Sequence, residues 1–286
     1  MMHGILQWRI GNVTVTTLND GFNQAGLEVI QGLSQDEAVR IQRAAFRSDQ
    51  PKITVNLFLI ESEHHAPILV DTGMGFIGGE TSGHLLAALR KIGVAPEEIR
   101  TILLTHLHPD HSAGLTDGRG RAIFPNAQLV MHKKELDFWT NNDNFKSSSD
   151  DEKSYVALIQ ASVAPYEGRI RLFVGEEEVA PGLRSVPLIG HTPGHSGYWL
   201  TSEGKTVLIW GDIVQFPEIQ SLRPDTGLTF DVNREQAGET RKYIMNKAVD
   251  ERLLVAGMHI DFPAFAFVQR LETGFRLVPA LWVDYA

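Results

Sequence analysis

The alternation of apolar and polar positions divides the chain into short strands and a few amphipathic helices. "WRIGNVTVTTLNDG" alternates over two runs about a Gly-Asn pair, the pattern of a hairpin entering a loop. "GLSQDEAVRIQRAAF" takes the helical period instead: Ser34 and Glu37 stand at capping-box spacing, and Ala38, Ile41 and Ala45 share a face. "KITVNLFLIE" and "APILVDTG" read as strands, the second closing at Asp71 in a glycine-rich turn. "SGHLLAALRKIGVAPEEIR" predicts a helix closed near Gly93 and an acidic turn begun by Pro96. "TILLT" is continuously apolar, which predicts a strand buried on both faces. The polar stretch "NNDNFKSSSDDEK" predicts an exposed loop leading into a helix at "SYVALIQASVAPY". Strand-like runs follow at "RIRLFV", "LRSVPLIG" and "TVLIWGD", then a helix at "NREQAGETRKYIMNKAVDE" and the strand "RLLVAG" before "MHIDFPAF". Strands interspersed with helices and hairpins predict an α/β protein with mixed sheets. No linker rich in Pro, Gly or Ser divides the sequence, so a single domain over 1–286 is expected.

Composition and charge narrow the function classes. A formal charge of −9 argues against nucleic acid as a partner, because phosphate binding needs basic surface. Cysteine is absent, which excludes disulfides, thiolate metal sites and a cysteine nucleophile. "MMHGILQWRIGNVTV" lacks a basic segment followed by a long apolar one, so it does not read as a signal peptide. No apolar run approaches the ~20 residues that span a bilayer, so no membrane partner is expected and a cytoplasmic location is the default. A small molecule is the expected partner.

The candidate chemistry stands where strand-like runs end. "TILLT" ends in His106, His108, Asp110 and His111; "LRSVPLIG" ends in His191, within "GHTPGHSGY"; "TVLIWG" ends in Asp212; and "RLLVAGM" ends in His259. Loops after strands converge on one sheet edge in α/β proteins. Imidazole with carboxylate suits zinc, and also iron, manganese or cobalt. Residues two apart in extended chain point the same way, so His106 and His108 can grip one ion. Pro109 disfavours helix at His108 and permits one immediately afterwards, which turns Asp110 and His111 toward a second position. Two ions roughly 3.5–4 Å apart need a shared anion. Asp212 is the natural bridge, with His191 and His259 completing the two sets. His3, His64, His65 and His84 lie outside any motif and are expected to be structural, as is His132 in "VMHKKE".

"THLHPDH" matches an HxHxDH motif, and "VDTG", "GHTPGHS", "GD" and the late His259 follow in order. In these features the chain resembles the metallo-β-lactamase superfamily over nearly its whole length. The resemblance implies an αββα sandwich, two mixed β-sheets flanked by helices, with two divalent ions of zinc type at one edge. Carried over by position, His106, His108 and His191 would hold the first ion and Asp110, His111 and His259 the second, with Asp212 bridging. Asp71 would orient a ligand histidine through its free ring nitrogen, and His195 would be a structural hydrogen-bonder. The stretch from Gly211 to Val268 resembles the methyl parathion hydrolase branch and its lactonase relatives, which hydrolyse organophosphate triesters, lactones or aryl esters.

With two dications in place, a bridging water would become the nucleophile near neutral pH, and the substrate's carbonyl or phosphoryl oxygen would be polarised. Hydrolysis is therefore the expected reaction, with Asp110 and Asp212 as catalytic carboxylates. His108 is not a glutamate, which speaks against the flavodiiron pattern, and the acidic chain disfavours RNA-processing members. A non-haem iron oxidoreductase of sulfur dioxygenase type is the alternative, though Asp110 and His111 together make fewer-ligand iron sites less natural. β-Lactam hydrolysis ranks below it, and a binding module that has lost catalysis ranks last because the ligand set is complete. One departure stands out: acyl-homoserine lactonases carry a tyrosine three residues after the bridging aspartate, where this chain has Gln215. An ester, lactone or triester with apolar substituents is the expected substrate. Phe22, Phe46, Phe216, Phe262 and Phe265 are candidate pocket walls, and the helix from Ser34 to about Phe46 is a candidate lid or homodimer contact.

Overall fold

A computed structural model describes residues 4–281. In the first part of the chain lie β1 (Ile5–Ile10), β2 (Val13–Gln24), β3 (Ile30–Gln31), β4 (Lys52–Ser62), β5 (His65–Val70), β6 (Thr101–Leu103), β7 (Gln128–His132) and β8 (Ile170–Phe173). All but β3 join one sheet in the order β1-β2-β4-β5-β6-β7-β8, antiparallel as far as β5 and parallel beyond it. The second part supplies β9 (Glu178–Ala180), β10 (Leu183–Pro187), β11 (Ser196–Ser202), β12 (Lys205–Ile209), β13 (Gly227–Leu228), β14 (Leu254–Ala256), β15 (Phe265–Arg270) and β16 (Phe275–Pro279). These, without β13, form a second sheet, β16-β15-β14-β12-β11-β10-β9, in which only the β12–β14 pairing is parallel among the described residues. The helices are α1 (Gln35–Ala44), α2 (Leu85–Lys91), α3 (Pro109–Ser112), α4 (Lys133–Thr140), α5 (Asp150–Val163), α6 (Pro217–Leu222) and α7 (Arg234–Asp250).

Period-two alternation explains the layering. On β4, Phe58 and Ile60 face the second sheet and meet Tyr198, Ile209 and Phe265, while Leu57 and Leu59 face away and join Leu89 of α2 and Ile159 of α5. On the second sheet Val207 and Ile209 point inward, and Leu208 points out to Ile244 and Met245 of α7. Each sheet is thus apolar on both faces and covered by helix on its outer one, an αββα arrangement of two mixed sheets. Each fully buried aliphatic or aromatic side chain stabilises such a core by roughly 1.5–3 kcal/mol.

Three local differences from the sequence reading have physical causes. The polar stretch 141–153 is not loop throughout: Asn142–Phe145 is a 3₁₀ turn, and α5 starts at Asp150. Ser149 and Glu152 exchange cap hydrogen bonds there, so polarity marks a helix start rather than a loop. Ser34 caps α1 by accepting from the Glu37 N–H, yet the Glu37 carboxylate does not reach back, because Arg223 binds it at 2.9 Å. The strand "SGYWLTS" and the hairpin β15–β16 carry no strong alternation, and their pairing partners hold them in the sheet. Among the described residues, no helix is long and apolar enough to cross a membrane.

Candidate metal centre

The chain leaves the C-terminal ends of β5, β6, β10, β12 and β14 on one edge of the sandwich, and Asp71, His106, His191, Asp212 and His259 lie in the loops that follow. Proline organises the richest loop. His108 is extended (φ −57°, ψ 150°) ahead of Pro109, which opens α3 at its first turn. His106 and His108 thus belong to the extended segment, and Asp110 and His111 to the new helical turn. All seven predicted donors come together. Three groups of ligand atoms lie within 4.8 Å of one another: His106, His108 and His191; Asp110, His111 and His259; and His106, His111 and Asp212 between them.

Asp212 is the centre of the cluster. Its Oδ2 is 3.0 Å from His259 Nε2, 3.4 Å from His191 Nε2 and 3.8 Å from His106 Nε2, and its Oδ1 is 3.2 Å from His111 Nε2. Asp110 approaches His111 and His259 at 3.6 Å each. His106 Nε2, His111 Nε2, His191 Nε2 and Asp212 Oδ1 are buried and have no hydrogen-bond partner. Buried polar atoms are rarely left so, and four converging on one point call for a group that binds them all. A divalent cation meets that demand, since these are nitrogen and anionic oxygen donors without sulfur. Burial, together with neighbouring imidazoles, holds His106 and His108 well below the usual imidazole range. Burial acts the same way on His111, but Asp212, Asp110 and Asp71 outweigh it and raise that ring.

Each ring is aimed from behind. His111 Nδ1 donates to Asp71 at 2.7 Å, and Asp71 also accepts from the N–H and hydroxyl of Thr105, both at 2.7 Å. His191 Nδ1 donates to Asp231 at 2.7 Å, and His259 Nδ1 donates to the Thr54 carbonyl at 2.7 Å. In each case the hydrogen bond places the proton on Nδ1 and turns the Nε2 lone pair toward the cluster. Burial would raise the Asp231 carboxyl, and the hydrogen bond and charge of His191, the Leu228 N–H and Arg241 together more than offset this and lower it. His195 is different. Its Nδ1 donates to the Leu188 carbonyl at 2.7 Å and its Nε2 accepts the Asp212 N–H at 2.9 Å, so neither nitrogen is left for an ion. Burial and His191 push it down to about 4, which keeps the ring neutral.

Gly211 permits that contact. Its φ is +58°, and a Cβ there would lie 2.3 Å from His195 Nε2. Gly211→Ala is expected to lose at least about 2 kcal/mol of stability from the left-handed backbone and the overlap combined. Urea unfolding checks this, and an unchanged midpoint would show that the turn relaxes freely.

Glu135 and Arg241 went unnoticed in the sequence, where each is one charge among several on a helix. The Glu135 carboxylate is fully buried and accepts four hydrogen bonds: from Leu107 N (2.9 Å), Trp139 Nε1 (2.7 Å), Thr192 Oγ1 (2.6 Å) and Gly194 N (3.0 Å). It ties the loop bearing His106 and His108 to the loop bearing His191. Arg241, also buried, donates to the carbonyls of Ile213, Pro224 and Thr226, which pins the chain after Asp212; burial pushes it down to about 10. His132 caps α4 by accepting the Lys134 N–H at 3.0 Å, a structural role as expected. His3 lies outside the described residues.

Beside the cluster opens a cavity of 210 Å³, walled by Ile53, Met74, Phe230, Tyr155, Ala25, Asn23, Gln24 and Gln215. The five candidate wall phenylalanines are elsewhere. Phe216 and Phe265 are buried in core clusters, Phe46 projects fully into solvent, and Phe262 packs near Gly4. Phe22 carries the Lys52 ammonium over its ring at 4.3 Å. Proximity in sequence to a site loop did not translate into direction, because alternate strand residues face opposite ways. Among the described residues no Lys or Arg lines the cavity.

Comparison with known proteins agrees with this geometry. Residues 52–259 match the model of the metallo-beta-lactamase superfamily. An N-acyl homoserine lactonase of Bacillus sp is 24% identical over 165 residues, 51% of this chain and 58% of that protein. N-acyl homoserine lactonase AiiB of Agrobacterium fabrum (strain C58 / ATCC 33970) is 30% identical over 168 residues, 51% of this chain and 57% of that protein. The chain therefore spans less than two thirds of the curated relatives it matches. Among solved structures, the hydrolase AbOPH of the beta lactamase superfamily superposes with a TM-score of 0.92 at 28% identity, covering 99% of this chain and all of that one. AidC, a dizinc quorum-quenching lactonase, reaches 0.91 at 24% identity with 99% of each chain covered, and supports the fold. With the motif-bearing loops, the αββα layers and the matched span in agreement, the chain belongs to the metallo-beta-lactamase superfamily.

Proposed function

We propose that the chain is a dinuclear metal-dependent hydrolase of uncharged esters or lactones, and of organophosphate triesters that share their neutrality. The observation that carries this reading is the convergence of three partnerless imidazole nitrogens and a carboxylate oxygen beside a largely apolar cavity that no described Lys or Arg lines. His106, His108 and His191 would hold one ion, Asp110, His111 and His259 the other, and Asp212 would serve both. Zinc fits the all-nitrogen-and-oxygen set, as do iron, manganese and cobalt. A pair of such ions supplies Lewis acidity and makes a bound water acidic enough to attack near neutral pH.

The chain's own residues do the rest. Both site carboxylates line the cavity, and Asp110 is the more open, its side chain 21% exposed against 4% for Asp212 and its Oδ2 accepting from Asn23 at 3.3 Å. It is placed to take up a proton there and return it to the leaving group. Asp212, enclosed among imidazoles, is nearly buried and holds the donors in register. Ile53, Met74 and Phe230 offer apolar contact to a substituent. Away from the ions, no described Lys or Arg on the cavity wall would pair with an anionic substituent, so the wall itself favours neutral ones. No residue of the site favours the iron oxidoreductase alternative.

The test is chelation followed by a hydrolysis panel. Chelator should abolish turnover of neutral lactones, aryl esters and triesters, and zinc or cobalt should restore it. Among active substrates, turnover should rise with an apolar substituent that can lie against Ile53, Met74 and Phe230. Activity that survives full metal removal would refute the reading.

A further inference from the structure

A hydrolase of this kind needs a hydrogen-bond donor aimed at the oxygen on which charge develops, and position 215, three after Asp212, holds glutamine. The cavity's polar side chains can be taken in turn. Gln215 Nε2 donates to Asp212 Oδ2 at 3.3 Å; its 3.2 Å approach to His191 Nδ1 is no second hydrogen bond, because that nitrogen's proton goes to Asp231. Asn23 Nδ2 is turned to Asp110, and Gln24 Nε2 to Gln50 Oε1 at 3.2 Å. Each of these amides is thus anchored through one of its N–H bonds, whereas Tyr155 brings a hydroxyl to the same wall. Among the described residues no hydrogen bond occupies its hydroxyl, and the residue is 38% exposed, at the cavity wall.

Its placement is firm. Ser149 and Glu152 cap α5 one to two turns before it. The Tyr155 ring meets the edge of His108 at 6.0 Å and packs on Trp139 at 6.2 Å, and Trp139 itself is fixed by Glu135 and by the stacked ring of Phe145 at 5.6 Å. Residues predicted for the first ion therefore share a wall with this phenol.

We propose that Tyr155 is a catalytic residue whose hydroxyl, carried in on α5, donates a hydrogen bond to the carbonyl or phosphoryl oxygen of the bound substrate. The proton stays on the phenol, and the bond strengthens as that oxygen gains charge. The inference rests on the hydrolase reading above. It also gives the substrate class a physical criterion: the reacting group must present a good acceptor oxygen toward α5.

The experiment compares wild type with Tyr155→Phe on paired substrates that differ only in oxygen or sulfur at the acceptor position, an ester with its thionoester and a phosphotriester with its phosphorothioate. Metal content is measured in parallel. On the oxygen substrates Tyr155→Phe should lose about 10- to 100-fold in kcat with KM nearly unchanged. On the sulfur substrates, where the acceptor is poor, the two proteins should differ by less than about three-fold. Both should carry the same metal. An equal loss on oxygen and sulfur substrates, a loss of metal, or a variant as active as wild type would each overturn the proposal while leaving the hydrolase reading intact. A wild type inert on every pair would remove the reading beneath it as well.

Discussion

Asp212→Ala is expected to abolish measurable turnover and to reduce the metal content below two ions per chain. Four imidazole nitrogens lie within 3.0–3.8 Å of this one carboxylate, drawn from three separate loops. Without it, Asp110 is left beside only His111 and His259, His106 and His191 lose their neighbouring carboxylate, and any cation placed there loses its shared ligand. Lewis-acid stabilisation is worth several kcal/mol, which at about 1.4 kcal/mol per decade is a fall of roughly 10³-fold or more. Elemental analysis and turnover of a neutral aryl ester check both halves. Asp212→Ala with two ions and near-normal activity would mean that the centre lies elsewhere. Asp212→Asn is a sharper control: it keeps shape and removes charge, so it should fail almost as badly.

Glu135→Ala should cost stability more than any other single change away from the cluster, about 4 kcal/mol or more, as expected when a buried carboxylate with several charge-assisted hydrogen bonds is removed. Leu107 N, Gly194 N, Thr192 Oγ1 and Trp139 Nε1 would all lose their acceptor at once. Three of them, Leu107, Thr192 and Gly194, belong to the loops that carry His106, His108 and His191, so metal affinity should fall as well, by about 10- to 100-fold. Glu135→Gln should lie between, because its amide nitrogen would face two N–H or O–H donors. Urea denaturation and a competitive metal titration measure the two effects separately. A variant with intact stability and unaltered affinity would show that the loops hold themselves.

The donors were legible in the sequence because metal chemistry restricts them to few residue types, and because strand ends are easy to find. "TILLT" announced its strand by continuous apolarity, and Pro109 divided the cluster at the position where α3 begins. Asp71 and His195 were also placed in their structural roles, each through a motif that stands beside a strand end. Glu135 was not legible. A carboxylate that accepts four hydrogen bonds looks, in sequence, like any surface charge on a lysine-rich helix start; three of its four partners lie 28 to 59 residues away. The cavity walls were hidden for a related reason. Phe230 and Tyr155 reach the site through the packing of loops and helices, whereas Phe216 and Phe265 are turned inward by the sheet and its neighbours.

The donor set divides four to three between the halves of the chain: His106, His108, Asp110 and His111 follow a strand of the first sheet, and His191, Asp212 and His259 follow strands of the second. Ions seated there would act as rivets across the seam. Slippage of one sheet over the other by a single residue, about 3.3 Å, is as large as the spacings within the cluster. Mechanical registry of the sandwich and competence of its rim would then be one property, so mutations that loosen the apolar layer far from the rim should be partly masked whenever metal is plentiful.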